Sequence, residues 1–379
     1  MPIYKANGKK DGLQKYNVRV NYISDSGQAK QLTRTAYGLE AAKELERRLA
    51  SGVKDGSENT AKKMTVQQLF DEYEAAKQYE IRETTHDKNR RNYALYVKPT
   101  LAGIRIDRVT VALLQEWKRS IEQKGLHLNT KRHAYGIVRA ILNYAVRMEY
   151  IPNSPLPKVG NFKEALSVKP GMSIYTAQEF MEFINAAKEQ ATEREKKHRD
   201  LSEWDYYVFF NIAFYCGLRK GEIHALKWSD LNGAYLSVKR SISQKLKGED
   251  RETPPKNKSS IRTLQMPLPL IQILKEHRAR QERLAHFTED YRICGGERCL
   301  RDSTIETRNK QYAALSDLDS IRIHDFRHSH VSVLANSGIL IQEVARRLGH
   351  SRVEMTWNTY SHLYPREEEK AVDVLNAIA

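Results

Sequence analysis

Four short stretches in the C-terminal half carry side chains that can act together on a phosphodiester. "YCGLRKGEIHALKW" sets Arg219 directly after Gly217 and Leu218, where an apolar run emerges into a turn. "PPKNKSS" offers Lys256 and Lys258 between two strand-like segments. "IRIHDFRHSH" spaces His324 and Arg327 three apart, on one face if helical, and "RRLGHSRVEMTWNTY" puts His350 ten positions before Tyr360. A lone histidine or arginine is more often a satisfied polar residue than a catalyst, so the weight rests on their joint chemistry. Attack on a phosphodiester builds negative charge on the non-bridging oxygens of a pentacoordinate phosphorane. Arg219 and Arg327, permanently ionised and planar, suit those oxygens in a way lysine does not. His324 and His350 can donate to the same oxygens or move a proton near neutral pH.

Two tyrosines, Tyr360 and Tyr364, stand four apart in "TWNTYSHLYP". Packing is the commoner role for tyrosine, and the chain has 20 of them. A phenol of ordinary pKa ~10 needs a cationic pocket or a base to be a useful nucleophile at pH 7. The departing 5′ oxygen of such a reaction needs a proton, and Lys256 or Lys258 can supply it. No carboxylate cluster of the two-metal type accompanies these residues and no G-x-x-x-x-G-K sequence occurs, so no metal, ATP or other cofactor is expected.

A net charge of +16, from 63 basic against 47 acidic side chains in 379 residues, favours a polyanionic partner. Nucleic acid leads; a basic surface with no specific partner is the weaker alternative. The apolar run "YYVFFNIAFYCGL" (206 to 218) is shorter than the ~20 residues of a membrane span and reads as a buried core helix. "MPIYKANGKK" has no apolar stretch of signal-peptide type, which predicts a cytoplasmic protein. Cys216, Cys294 and Cys299 cannot build a disulfide framework and are expected reduced and structural.

The elements that must position these groups are mostly helical with small β-sheets, in more than one domain given the length. Residues 1 to about 50 read as a three-stranded meander, "IYKAN", "QKYNVRVNYIS" and "AKQLTRTAYG", broken by "GKKDG" and "DSG" and covered by a helix with Leu39, Ala42, Leu45 and Leu49 on one face. Residues 1 to 63 carry 13 basic and 7 acidic groups, and Lys15, Arg19, Lys30 and Arg34 are the strand cations expected to meet DNA. "SGVKDGSENTAKK" (51 to 63) reads as a linker. Helices are expected near 65 to 79, 85 to 97, 108 to 124 and 128 to 148. In the last, Tyr135, Val138, Leu142 and Ala145 make an apolar stripe, while Lys131, Arg132, Arg139 and Arg147 supply basic charge. Thr85 is a candidate cap for a helix with Lys88, Arg90 and Arg91 in its first turns, where cations oppose the helix dipole and phosphates would favour them. "IPNSPLPKVGN" (151 to 161) closes this part. From 170 on, a capping box at Thr176 and Glu179, two strand-like segments around the charged turn "LKGEDRETPPKNKSS", and helices to the end predict a mainly α unit with one small sheet.

The blocks "GLRKGEIHALKW", "HDFRHSH", "LGHS" and "NTYSH", in this order and spacing, resemble the catalytic boxes of the tyrosine recombinases, the phage integrase family, over roughly residues 175 to 365. The preceding helical part resembles the family's core-binding domain, and the N-terminal sheet resembles the arm-binding domain of integrases from phages and conjugative transposons. The resemblance implies an arm-binding domain with linker at 1–63, a core-binding domain at 64–160 and a catalytic domain at 161–379. It makes Arg219 the first active-site arginine, Glu222 a supporting acid that orients it, His324 and Arg327 the H-x-x-R pair, His350 the second histidine and Tyr360 the nucleophile. Tyr364 then falls beyond the motif as a packing residue. The family's lysine sits in the β-turn; here Asn257 follows Lys256 and a second lysine comes two positions on, so the choice stays open, with Lys256 preferred.

The implied activity is site-specific recombination through 3′-phosphotyrosyl linkages, integrating and excising a mobile element. Its partners would be double-stranded DNA at core and arm sites, three further copies in a tetramer, and an accessory DNA-bending or excision factor. The expected setting is the bacterial nucleoid, for a bacterial or phage-encoded protein. The tail "REEEKAVDVLNAIA" has Ala371, Val372, Leu375 and Ile378 at amphipathic spacing and either docks on a neighbouring protomer or folds back. A type IB topoisomerase shares the chemistry but has no evident need of a separate basic module. A non-catalytic DNA-binding regulator would not need the full set of Arg219, His324, Arg327, His350 and Tyr360.

Overall fold

The computed structural model describes residues 3–23, 29–54, 64–163, 172–244, 251–253, 260–364, 372–373 and 375–378. The chain divides into two compact units, Met1–Ser167 and Val168–Ala379. Among the described residues no helix is long and apolar enough to cross a membrane.

The first unit begins with an antiparallel meander of β1 (Ile3–Lys10), β2 (Leu13–Ile23) and β3 (Ala29–Tyr37), followed by α1 (Leu39–Lys54). Asp11 and Gly12, both at positive φ, join Lys10 to Leu13 as a two-residue hairpin turn. Strand β1 therefore runs through Gly8, Lys9 and Lys10, which the sequence reads as turn. A register irregularity between Lys5 and Lys9 accommodates the glycine without ending the strand. Val18, Ala36 and Ala42 pack together with Ile3, Tyr16, Leu45 and Leu49, so α1 covers one face of the sheet. Helix α1 continues to Lys54, past the start of the expected linker. The rest of that linker and the "DSG" turn lie outside the described residues.

The same unit continues through α2 (Val66–Lys77), α3 (Glu83–Tyr96), α4 (Lys98–Leu101), α5 (Val111–Glu122), α6 (Leu128–Arg147) and α7 (Leu156–Val159). A Thr65–Gln68 capping box starts α2, and the Thr110 side chain caps α5. Thr85 caps nothing: the N-cap of α3 is Arg82. Lys88, Arg90 and Arg91 consequently lie beyond the first turn, where the dipole no longer opposes them. Phe70 stacks on Tyr93 at 3.7 Å, and Trp117 Nε1 donates to the Tyr96 carbonyl at 2.7 Å. The predicted α6 stripe of Tyr135, Val138, Leu142 and Ala145 is buried in this core.

The second unit packs α8 (Ala177–His198), opened by the Thr176–Glu179 capping box, against α9 (Ser202–Cys216). Helix α9 is apolar on every side and buried on every side; Phe209, Phe210 and Ile212 are 0% exposed. Helix α10 (Lys220–Ala225) leads to β4 (Leu231–Asn232), β5 (Tyr235–Val238), β6 (Ser241–Ser243), β7 (Arg251–Thr253) and β8 (Arg262–Gln265). These form two sheets, β4-β5-β8 and β6-β7, where the sequence predicts one. The long strand-like segment breaks at Lys239 and Arg240, and the charged turn contains β7. Arg240 holds that split in place by pairing with Asp230 behind it and, at 3.2 Å, with Glu252 on β7. Helices α11 (Leu268–Gln281), α12 (Asp302–Leu315), α13 (Asp325–Asn336), α14 (Ile341–Leu348) and α15 (Val353–Tyr360) complete the unit. All three cysteines are buried. In the tail, Val372, Leu375 and Ile378 are 49%, 65% and 78% exposed. Ala371 lies outside the described residues.

Candidate active site

Helix α9 stops where Gly217 takes a left-handed conformation, φ 60°. A Cβ there would lie 2.6 Å from the His330 ring, so only glycine fits. Leu218 plugs the core and Arg219 follows in extended conformation as the N-cap of α10. Its Nη1 donates to Glu222 Oε1 at 2.9 Å, and its backbone N–H donates to Oε2 at 3.0 Å. Glu222 is held from the other side by Arg262 of β8, through Nη2 to Oε2 at 3.0 Å and Nη1 to Oε1 at 3.3 Å. Arg262 also donates to the carbonyls of Arg347, at 2.7 Å, and Ser260, at 3.1 Å. The carboxylate is thus a buried brace between two guanidiniums, one anchored and one, Arg219, 37% exposed and free to meet a ligand. Burial pushes the Glu222 carboxyl up, but Arg262 and Arg219 outweigh it and hold it below the usual range.

Arg327, in the first turn of α13, is 1% exposed. Its Nη1 donates to the Gly217 carbonyl and its Nη2 to the Leu348 carbonyl, both at 2.8 Å. The same Nη2 lies 2.9 Å from His350 Nε2. One side chain therefore ties together the segments that carry Arg219 and His350. His350 follows Gly349, whose φ of 66° ends α14 and where a Cβ would lie 2.8 Å from Arg262 Nη1. Its Nδ1 is 2.8 Å from Thr356 Oγ1, at the middle of α15. Arg327 can only donate, so His350 Nε2 accepts and Nδ1 carries the proton. Burial, then Arg327 and Arg219, push His350 down to about 4, which keeps it neutral at pH 7.

Tyr360 ends α15 at 2% exposure, among Val331, Val344 and Leu348. Its Oη meets His328 Nδ1 at 2.6 Å. Burial pushes the phenol up to about 12, against the pull of Arg327 and Arg219. His324 immediately precedes α13 with its ring exposed, 5.0 Å from the His328 ring. Crowding by protein, then His328 and the two arginines, push it down. Tyr364 lies past α15 in a separate turn, and its buried hydroxyl has no hydrogen-bond partner among the described residues.

The structure brings together Arg219, Glu222, His324, Arg327, His350 and Tyr360. Lys256 and Lys258 lie outside the described residues, on the connection from Thr253 to Ser260. Sequence reasoning missed Arg262, His328 and Asp325. Arg262 was legible: it alternates with Leu264 and Met266 along β8, so it faces inward and needs a carboxylate. His328, four after His324, shares its helix face.

The four strand cations do not form one surface. Pairing of Lys15 with Tyr37 and of Arg19 with Thr33 puts those two cations on the open face. Arg34, opposite Val18, belongs to the face that α1 covers, and the side chain of Lys30 lies outside the described residues. On the open face Arg19 lies over the Tyr4 ring at 5.0 Å. In the helical part, Arg90 and Arg91 are exposed and paired with Glu74 and Asp87. Lys88 Nζ lies 3.0 Å from His133 on α6, and Arg132 donates to the Phe162 carbonyl at 3.3 Å. Lys131, one residue before Arg132 on α6, is half-buried.

The family model described as "Phage integrase family" matches residues 175–367, and that described as "Phage integrase SAM-like domain" matches residues 65–164. The ICEBs1 integrase of Bacillus subtilis is 28% identical over 72% of each chain. A "Tyrosine recombinase XerC-like" protein of Caldanaerobacter subterraneus is 27% identical over 98% of each. The fold is similar to that of the Tn1549 transposon integrase in complex with a circular intermediate DNA, with a TM-score of 0.65 and 18% identity over 83% of this chain and all of that one. It is also similar to a lambda integrase tetramer bound to a Holliday junction, with a TM-score of 0.54 and 17% identity over 93% of this chain and 96% of that one. With the first family model spanning more than half of its residues, this chain belongs to the phage integrase family of tyrosine recombinases, enzymes that cleave and rejoin DNA.

Proposed function

We propose that this recombinase integrates and excises a mobile element by cutting double-stranded DNA at core sites with Tyr360 and rejoining it through a 3′-phosphotyrosyl linkage. The observation that carries the assignment is Arg327, whose two donor nitrogens fix the loops of Arg219 and His350 beside the Tyr360 helix. In the reaction Tyr360 Oη attacks phosphorus while Arg219 and Arg327 take the charge on the non-bridging oxygens. His324 stands at the open rim, placed to donate to the same oxygens. Lys256, or Lys258, protonates the departing 5′ oxygen. The covalent intermediate keeps the phosphodiester's bond energy, so a 5′ hydroxyl from a second duplex can attack and rejoin without ATP. Exchange between two duplexes uses four active sites, hence a tetramer on DNA, with the exposed tail apolar residues available to a neighbouring protomer.

The N-terminal part, ending near residue 63, would read distal arm sites through the open face bearing Tyr4, Lys15 and Arg19. The helical part to about residue 160 would hold the core site with Lys88, Lys131 and Arg132, joined by Arg90 and Arg91 once phosphates compete with their carboxylates. An accessory DNA-bending or excision factor would set the direction. A nicked suicide substrate, from which the cleaved fragment diffuses away, tests the chemistry on a denaturing gel. Wild type and Tyr364→Phe should give a retarded protein–DNA band, in excess EDTA as well, and Tyr360→Phe none. A band from Tyr360→Phe, or none from a folded Tyr364→Phe, would reverse the assignment. Joining of two labelled duplexes separates a recombinase from a topoisomerase.

A further inference from the structure

As Tyr360 Oη bonds to phosphorus, its phenolic proton must leave. With the phenol pushed up to about 12, only about one Tyr360 in 10⁵ is ionised at pH 7, so a local acceptor matters. His350 is fully engaged: Nε2 faces Arg327 at 2.9 Å and Nδ1 faces Thr356 at 2.8 Å. His328 Nδ1, in contrast, lies 2.6 Å from Tyr360 Oη, and its Nε2 looks toward Asp325 Oδ1 at 3.8 Å. Asp325 is 2% exposed and is fixed by Arg322, whose backbone N–H donates at 3.1 Å and whose Nε and Nη2 each donate at 2.9 Å. A hydroxyl nucleophile with an imidazole at hydrogen-bond distance is the pairing that activates such nucleophiles in other enzymes, and the carboxylate here stands close enough to act on the ring through its charge.

We propose that His328 is the proton acceptor for Tyr360, with the negative charge of Asp325 beside it favouring the imidazolium that forms; this rests on the reading of Tyr360 as nucleophile. In cleavage the Oη–phosphorus bond forms, the phenol O–H bond breaks and its proton passes to His328 Nδ1. The bond from phosphorus to the 5′ oxygen breaks, and that oxygen takes a proton from the ammonium of Lys256 or Lys258. In rejoining the 5′ hydroxyl attacks, the lysine recovers its proton, and His328 returns the other to the departing phenolate.

The charged and titratable groups around His328 are Asp325, Arg327 and His324 from its own segment, Arg322 before it, and Tyr360 from α15. Burial pushes the imidazole down, Asp325 pulls it up, and Arg322 with Arg327 push it down again. The net effect is downward, so the ring is neutral at pH 7, and in the tautomer with its proton on Nε2, the side toward Asp325, Nδ1 is the accepting nitrogen. Cleavage then falls as acid protonates His328 and is flat above that range.

Single-turnover cleavage of the nicked substrate between pH 6 and 9 tests this with His328→Ala and His328→Gln. Gln can accept the phenol's hydrogen bond but not its proton, and it keeps the space filled should the Ala variant fold poorly. Both should lose about 10²-fold or more at pH 7 with DNA affinity unchanged. The remaining rate should rise roughly tenfold per pH unit, as hydroxide replaces the base, and added imidazole should restore part of it in His328→Ala. A folded Gln variant with the wild-type rate, or a slowed variant that keeps the wild-type pH profile and ignores imidazole, would overturn the proposal. Tyr360→Phe runs beside them. An adduct from that lane would instead refute the nucleophile assignment.

Discussion

The arginines of the catalytic unit and the cations of the N-terminal sheet carry the same charge in opposite settings. Arg327 and Arg262 are almost sealed from solvent, each with backbone carbonyls as acceptors, while Arg19 stands exposed over a tyrosine ring. Burying a guanidinium is costly, and the chain offsets that cost with directed hydrogen bonds that fix the group before any phosphate arrives. An exposed cation costs little to keep and acts at any phosphate within reach, in a salt-dependent way. One region is built for a reaction at a fixed atom. The other is built for attraction.

The largest effect should come from Arg327→Ala. It strips the Gly217 and Leu348 carbonyls of their donor inside the core, at about 1–3 kcal/mol each, and releases the loops of Arg219 and His350. Urea unfolding should show a loss of about 4 kcal/mol and cleavage should vanish; a variant with wild-type stability would mean that Arg327 is not structural mortar. Next in size is Arg219→Ala. Its guanidinium is the half-exposed one, so the fold should survive while cleavage falls about 10²–10³-fold. If stability fell as far as in Arg327→Ala, the contrast between the buried and the half-exposed arginine would be lost.

Burial also gives the catalytic unit an acid sensitivity. His330, 6% exposed, donates through Nδ1 to the Phe214 carbonyl at 2.8 Å and is pushed down to about 3 by burial, then by Arg347. The unfolded chain takes up a proton near the ordinary pKa ~6.5, while the folded one waits until about 3. Stability is therefore complete above about pH 6.5 and lost progressively below it, by about 2 kcal/mol at pH 5 from this group. Urea midpoints at pH 7 and pH 5 measure it, and an unchanged midpoint would show that His330 already carries its proton in the folded state.

Much of this was legible in the sequence because local chemistry decided it. The Thr176 cap, the apolar run of α9 and the α6 stripe each follow from residues within a few turns of one another. The motif residues could be named because their types are restricted by what phosphate transfer needs. What escaped depends on register and on distant partners. Thr85 lost its place as cap because α3 starts at Glu83, with Arg82, three residues before Thr85, as its N-cap, and no propensity rule separates such neighbours. The split of the central strand depends on Arg240 finding Asp230 and Glu252. The Tyr360–His328 contact joins residues 32 apart on two helices, and only packing sets its distance.

The smallest effect should lie in the sheet, where register makes a sharper statement than composition. The antiparallel pairing sends Lys15 and Arg19 to the open face and Arg34 to the face shared with Val18 and α1. If the open face meets an arm site, Lys15→Ala combined with Arg19→Ala removes two phosphate contacts. The slope of log affinity against log salt should become shallower by about 2 for arm-site DNA. Arg34→Ala should leave that slope unchanged, although it deletes the same charge from the same small module. Core-site cleavage should be the same in all three, because none of these residues belongs to the catalytic unit. An equal change of slope from Arg34→Ala would mean that net charge rather than face governs arm binding. In that case the sheet would be a diffuse electrostatic anchor, and the contrast with the fixed guanidiniums of the active site would widen.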